Sequence, residues 1–228
     1  MSVSGRLGIL GGTFDPVHFG HLDAADAARR ALGLNEVRLI PSCDPPHRPI
    51  DPLASPFHRF ALIALAIQDQ DVLRASDMEL TRSGPSYTAD TLRGLAAQGW
   101  HPSQIFFILG SDAFAEIATW REFPAVLDAA QFAVIARPGT TLDAAVARTP
   151  ALRERTRRSD ETSRGSGTSI YLVEAHTRDV SSSTIRARLA ARQPIDDLVP
   201  APVARYIVEH HLYAPVGSLH GQDSAIQK

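Results

Sequence analysis

The sequence predicts an α/β protein built as a Rossmann-like, doubly wound, mainly parallel sheet with helices on both faces. Short apolar runs such as "LGIL", "EVRLIP", "QIFFILG" and "QFAVIARPG" alternate along the chain with segments of helical period. Alternation of that kind gives a parallel sheet, because each crossover helix must pack back onto a face of it. The unusual residues of the chain follow the ends of these runs, after Leu10, Ile40, Leu109 and Val173, where open parallel sheets bind their ligands. A length of 228 residues with 44% hydrophobic content supplies a core for one domain.

The first strand is Leu7–Leu10, and Gly11 and Gly12 after it let the backbone turn sharply and approach a ligand. Leu22–Leu32 is an Ala-rich helix and Glu36–Pro41 the second strand. Ser55–Gln68 is a helix with Ser55 at its N-cap and Pro56 at its first position. Val72–Ser76 gives a third strand and Thr88–Gln98 a helix. Gln104–Gly110, rich in β-branched and aromatic residues, is a fully buried strand. "SDAFAEIATW" then starts a helix, Gln131–Gly139 makes a strand, and Ser169–Ala175 the last one. The helices Ser182–Arg192 and Pro202–His211 follow. An Arg/Ser-rich stretch at about 148–168 breaks the pattern, with six arginines and almost no apolar residue. It reads as a solvated or partly disordered insertion, with a phosphate-contacting loop as the other reading. Residues 1–214 therefore form a single domain carrying that insertion, and 215–228 a flexible tail.

A net charge of −2 gives no global attraction to nucleic acid or to an anionic membrane, so neither is an expected partner. No apolar run approaches the ~20 residues of a membrane helix, and the N-terminus lacks the pattern of a signal peptide. The single cysteine, Cys43, excludes an internal disulfide framework and a multi-cysteine zinc cluster, and fits a reducing, cytoplasmic setting. The only lysine is Lys228. That excludes a P-loop and a Schiff-base lysine. Phosphate, if bound, must be held by arginine, histidine, backbone amides and a metal.

Gly11 and Gly12 feed a helix whose N-terminus offers free N–H groups and partial positive charge, an anion site. His18 and His21, three residues apart, share a face of that helix. Imidazoles there can donate to phosphate oxygens and charge as negative charge builds. Zinc is the rival reading, although it needs a third ligand and its familiar helical pair is spaced i, i+4. "VSSSTIR" puts serines at a helix start and Arg186 one turn inside, which suits either phosphate or ordinary capping. In "GSD", Gly110 permits close approach and Asp112 either binds hydroxyls or caps the helix. Tyr87 and Thr88 stand near another helix start, and Trp120 is either core or a flat face for a ring. His47 and Arg48 lie in a Pro-stiffened loop.

"GGTFDPVHFGH" resembles the G-x-F-D-x-x-H-x-G-H signature of the nucleotidyltransferases, which transfer a nucleotidyl group from a nucleoside triphosphate. Together with "PSCDPPHRP", "SYTADTL", "FILGSDAFAEIATW" and "VSSSTIRARL", in that order between Leu7 and Tyr213, it is similar to the bacterial nicotinate-nucleotide adenylyltransferases. The resemblance implies adenylyl transfer from ATP to nicotinate mononucleotide, giving deamido-NAD and pyrophosphate. It implies that Gly11, Gly12, Thr13 and Phe14 line the reacting phosphates through backbone N–H groups. His18, His21 and Arg186 become the catalytic charge stabilisers, and Ser182 and Ser183 join Arg186 on the ATP phosphates. Arg48 stands where the family has a basic residue near the phosphates. Gly110 and Asp112 are implied at the adenylyl ribose, Tyr87 and Thr88 at the nicotinate ring and its carboxylate, and Trp120 stacked on the pyridine. Mg²⁺ is implied as a cofactor held mainly by the ATP phosphates, with no side-chain metal ligand. Arg121 stands where many members have an aromatic residue. The residues themselves leave open nicotinamide mononucleotide or phosphopantetheine as acceptor, a non-catalytic nucleotide sensor, and a zinc hydrolase. They do not indicate an oligomeric state.

Overall fold

A computed structural model describes residues 4–46, 52–136, 146, 152, 155–158 and 167–214. His47, Arg48, most of the 148–168 insertion and the 215–228 tail lie outside the described residues.

Seven strands form one sheet in the order β3-β2-β1-β4-β5-β7-β6, and every pairing is parallel. They are β1 (Leu7–Gly12), β2 (Glu36–Pro41), β3 (Leu73–Ala75), β4 (Ile105–Gly110), β5 (Gln131–Ala136), β6 (Thr156–Arg158) and β7 (Ile170–Glu174). The helices are α1 (Phe19–Leu32), α2 (Pro56–Ala66), α3 (Thr88–Ala97), α4 (Ser111–Ala115), α5 (Ser182–Ala190) and α6 (Ala201–Glu209). This is the doubly wound α/β fold that the alternation of runs predicts.

Alternate residues of the central strands enter two separate cores. Leu10, Phe106 and Ile108 meet the buried stripes of α1, α2, α5 and α6 on one face. Leu7, Ile9, Ile105, Phe107 and Leu109 meet α3, α4 and two 3₁₀ turns on the other. A side chain at Gly8 would place its Cβ 2.8 Å from Leu34 Cδ1 and 2.9 Å from Val37 Cγ2, so the α1–β2 turn can close over β1 only at a glycine. Helix α1 stops at Gly33, whose left-handed φ of 60° turns the chain so that the Leu34 N–H returns to the Arg29 carbonyl at 3.0 Å.

Three elements depart from the sequence reading. Strand β1 runs on through Gly11 and Gly12, which align with Ile40 and Pro41 of β2. The segment after β4 does not sustain one helix: α4 ends after Ala115, a 3₁₀ turn covers Ile117–Thr119, and Trp120 is extended. Glu116, at φ −97° and ψ 6°, has left the α-helical basin, and Phe114 and Ile117 on either side of it are both buried. Within the insertion, Thr156–Arg158 pairs with β7 as an edge strand. Three residues with no alternation gave no strand signal there.

Candidate active site

From β1 the chain crosses to β2 on one side, while β4 leads to β5 on the other. The divergence opens a crevice beyond the carboxyl ends of these strands. A cavity of about 920 Å³ fills it, near the top of the roughly 300–1,000 Å³ range of ligand pockets.

Gly11, Gly12, Thr13, His18, His21, Tyr87, Thr88, Gly110, Asp112, Trp120, Ser182, Ser183 and Arg186 all line this one cavity. These residues, from four of the five sequence motifs, thus converge. Phe14 is set back from it: its ring is 1% exposed, lies across Gly12, and meets His21 edge-on at 4.8 Å. Its backbone holds a left-handed φ of 51°, a conformation that a bulky residue adopts only where its surroundings enforce it.

The histidine pair is arranged differently from two side chains on a helix face. His18 is the N-cap of α1, with extended φ −149° and ψ 171°, and His21 is inside the first turn. Their rings stack with centroids 3.7 Å apart and planes 26° from parallel. His21 Nδ1 accepts the His18 backbone N–H at 3.2 Å. A neutral His21 therefore carries its proton on Nε2, the nitrogen left to donate elsewhere.

Helix α5 is capped by Ser181, which accepts the Thr184 N–H at 3.1 Å. Capping by Ser181 releases the next two serines from that task. Ser182 Oγ donates to the Pro16 carbonyl at 2.9 Å, and Arg186 Nη1 donates to the Asp15 carbonyl at 2.7 Å. Helix and histidine loop are thereby clamped together. Beneath the loop, fully buried Arg59 donates to the carbonyls of Thr13 (2.7 Å), Ala54 (3.1 Å) and Cys43 (3.4 Å). Asp15, 1% exposed, accepts N–H groups from Leu53 (3.0 Å) and Ala54 (3.1 Å) and the Tyr213 hydroxyl (2.9 Å). Burial first, and then the Asp15 carboxylate, push the Tyr213 phenol well above its usual range.

Arg178 also lines the cavity, its guanidinium lying 3.8 Å over the Phe19 ring and forked onto Asp23 at 2.9 and 2.8 Å. Its hydrogen bond holds the Asp23 carboxyl below the ordinary carboxylate range, against a smaller opposing effect of burial.

On the opposite flank Tyr87, not Thr88, is the N-cap of α3, and Thr88 is its first residue. The Arg121 guanidinium lies 4.6 Å over the Tyr87 ring, and Trp120 meets Phe107 edge-on at 5.8 Å. Below them Glu79 is buried and accepts the Thr91 hydroxyl at 2.5 Å. Burial raises its pKa, and the hydroxyls of Thr91 and Ser86 only partly oppose that. The Ser42 hydroxyl is buried and lines the same cavity, and no described residue hydrogen-bonds it. At the end of β4, Gly110 is the N-cap of α4 and the space above its Cα is open.

Among the described residues no group of three or more His, Cys, Asp and Glu could hold a metal ion, and no helix is long and apolar enough to cross a membrane. Sequence reasoning gave no role to Asp15, Arg59, Glu79, Arg178 or Tyr213. For Arg59 a signal existed: it is in phase with Leu62, Ile63 and Ala66, the buried stripe of α2, and an arginine on an apolar stripe must find partners inside.

Residues 9–188 match the cytidylyltransferase-like family. The chain is 41% identical to a protein of Symbiobacterium thermophilum named probable nicotinate-nucleotide adenylyltransferase, over 95% of this chain and 98% of that one. A Roseiflexus protein of the same name is 40% identical, over 92% and 98% of the two chains. In fold the chain is similar to Plasmodium falciparum nicotinic acid mononucleotide adenylyltransferase complexed with NaAD, with a TM-score of 0.71 at 20% identity, covering 92% of this chain and 98% of that one. A chain with that fold, and with such identity along nearly its whole length, belongs to the nicotinate-nucleotide adenylyltransferase family of the cytidylyltransferase-like proteins.

Proposed function

We propose that this enzyme transfers the adenylyl group of ATP to nicotinate mononucleotide, giving deamido-NAD and pyrophosphate, as a step of NAD biosynthesis in the cytoplasm. The observation that carries the site reading is the convergence of a stacked histidine pair, the start of α5 and Arg186 on one side of a cavity. Its other side offers aromatic and hydroxyl groups. The relatives' names supply the acceptor.

The 5′-phosphate of the mononucleotide is already an anion and needs no general base. It attacks the α-phosphorus of ATP in line, a bond to oxygen forms, and the bond to the leaving pyrophosphate breaks. Catalysis is then mainly positioning and charge neutralisation. Backbone N–H groups of Gly11, Gly12, Thr13 and Phe14 cradle the reacting phosphates. His18, His21 and Arg186 face the charge that grows on them. Ser183 adds a hydroxyl donor, and Ser182, whose hydroxyl is engaged by the Pro16 carbonyl, offers its backbone N–H at the start of α5. Arg48 is assigned to the same phosphates. Gly110 leaves room for the ribose of the adenylyl half and Asp112 accepts its hydroxyls. Tyr87, Thr88 and Trp120 hold the nicotinate ring. Mg²⁺ enters with ATP as part of the substrate, carried mainly by the phosphate oxygens. Bound there, it offsets phosphate charge.

The test is pyrophosphate release with ATP and Mg²⁺, run in parallel with nicotinate mononucleotide, nicotinamide mononucleotide and phosphopantetheine. Turnover is expected with the nicotinate compound well above the other two. ATP binding without release for any acceptor would overturn the reading.

A further inference from the structure

We infer that Tyr213 is a positioning residue that aims Arg186 into the cavity through Asp15. The inference rests on the phosphate-facing role proposed above for Arg186. Tyr213 lies beyond residue 188, where the family match ends, yet its hydroxyl reaches the loop between β1 and α1. Its backbone is left-handed at φ 62°, and so is that of His211 at φ 49°. Non-glycine residues hold that conformation only where packing enforces it, so the chain after α6 is bent to bring this phenol to Asp15.

Two acceptors on Asp15 compete for the same guanidinium nitrogen. Arg186 Nη1 is 2.7 Å from the Asp15 carbonyl and 3.8 Å from its Oδ2. A buried carboxylate whose charge is not offset would draw the guanidinium onto itself, since attraction strengthens as solvent is excluded. Here its oxygens are already engaged: Oδ2 by the Leu53 N–H, Oδ1 by the Ala54 N–H and the Tyr213 hydroxyl. Arg186 Nη1 is thereby kept on the carbonyl, and the side chain stays where it lines the cavity. Of the three donors Tyr213 is the only side chain. Burial and the Asp15 charge both favour its protonated form, so it stays a donor at neutral pH. Without the hydroxyl, Arg186 shifts towards the carboxylate and withdraws from the phosphates.

The experiment is a cycle of Tyr213→Phe, Arg186→Lys and the double variant, read by kcat, both KM values and thermal melting. Phenylalanine keeps the ring and its packing. Tyr213→Phe is expected to lower kcat roughly ten- to a hundredfold, the effect of one hydrogen bond to a charged group, with KM for nicotinate mononucleotide unchanged. R186K keeps a charge and loses the fork. In that background the same Tyr213 change is expected to move kcat less than about twofold, because the coupling runs through the guanidinium. An equal loss in both backgrounds would mean a merely structural role and would overturn the inference, as would wild-type kcat for Tyr213→Phe alone. Wild-type kcat for Arg186→Lys would be a separate failure, removing the phosphate role of Arg186 and this inference with it.

Discussion

From Gly11 to Arg186, the flank of the cavity proposed to hold the phosphates is braced largely from within. Asp15 and Arg59 are buried, His18 and His21 are stacked, and α5 is tied to the histidine loop by Ser182 and Arg186. The opposite flank, proposed to hold the acceptor ring, is held from outside. Arg121 is half-exposed where it lies over Tyr87, and Arg93 pairs with Glu122 and Asp90 at the surface. Exposed pairs of this kind contribute little to stability, whereas buried charges hold geometry because leaving one unpaired is costly. The contrast matches the two tasks proposed for these flanks. Charge stabilisation needs donors that do not reorganise during the reaction, and an aromatic acceptor needs a slot that admits a ring.

If that contrast is right, substitutions on the two flanks should fail differently. The largest effect is expected for His18→Ala on the rigid flank, where turnover should drop by a factor on the order of a hundred to a thousand, or ~3–4 kcal/mol of transition-state stabilisation. Near-normal turnover in a correctly folded variant would break the contrast at its strongest point. On the open flank, Trp120→Ala is expected to raise KM for the acceptor roughly tenfold, in line with ~1–3 kcal/mol for stacking on an aromatic face, while KM for ATP stays put. An equal rise in both KM values would show that the flanks are not separate.

The smallest effect concerns Glu79, beneath the ring flank. Its folded-state pKa lies above the ordinary 4.5, chiefly through burial. A raised carboxyl pKa means that folding favours the protonated form, so the stability it contributes is complete below pH 4.5 and lost as pH rises through the folded value. Glu79→Gln removes that titration and can still accept the Thr91 hydroxyl. The melting temperature of the variant relative to the native chain is therefore expected to climb as pH rises above 4.5. A difference that stays flat or falls over that range would contradict the assignment.

The framework was legible because it rests on local pattern. "QIFFILG" has the composition of a buried strand, and Ser55–Pro56 announces the start of α2, where Ser55 accepts the His58 N–H at 3.3 Å. Many of the cavity-lining residues were legible as motifs, most following the end of a strand or opening a helix, although Glu79 and Arg178, which also line the cavity, were not. The supports beneath them were not. Tyr213 reaches Asp15 across 198 positions of sequence, and Arg178 reaches Asp23 across 155. No local period marks such partners. Even the histidine spacing misled on geometry: i, i+3 suggested two side chains on a helix face, whereas the first is the cap and the rings lie one upon the other.

Among the described residues both outer strands of the sheet, β3 and β6, are three residues long. A long exposed margin with free N–H and C=O groups would be a template for strands of other molecules. The broad parallel platform that supports the site therefore ends on each side in a margin too brief to recruit a neighbour.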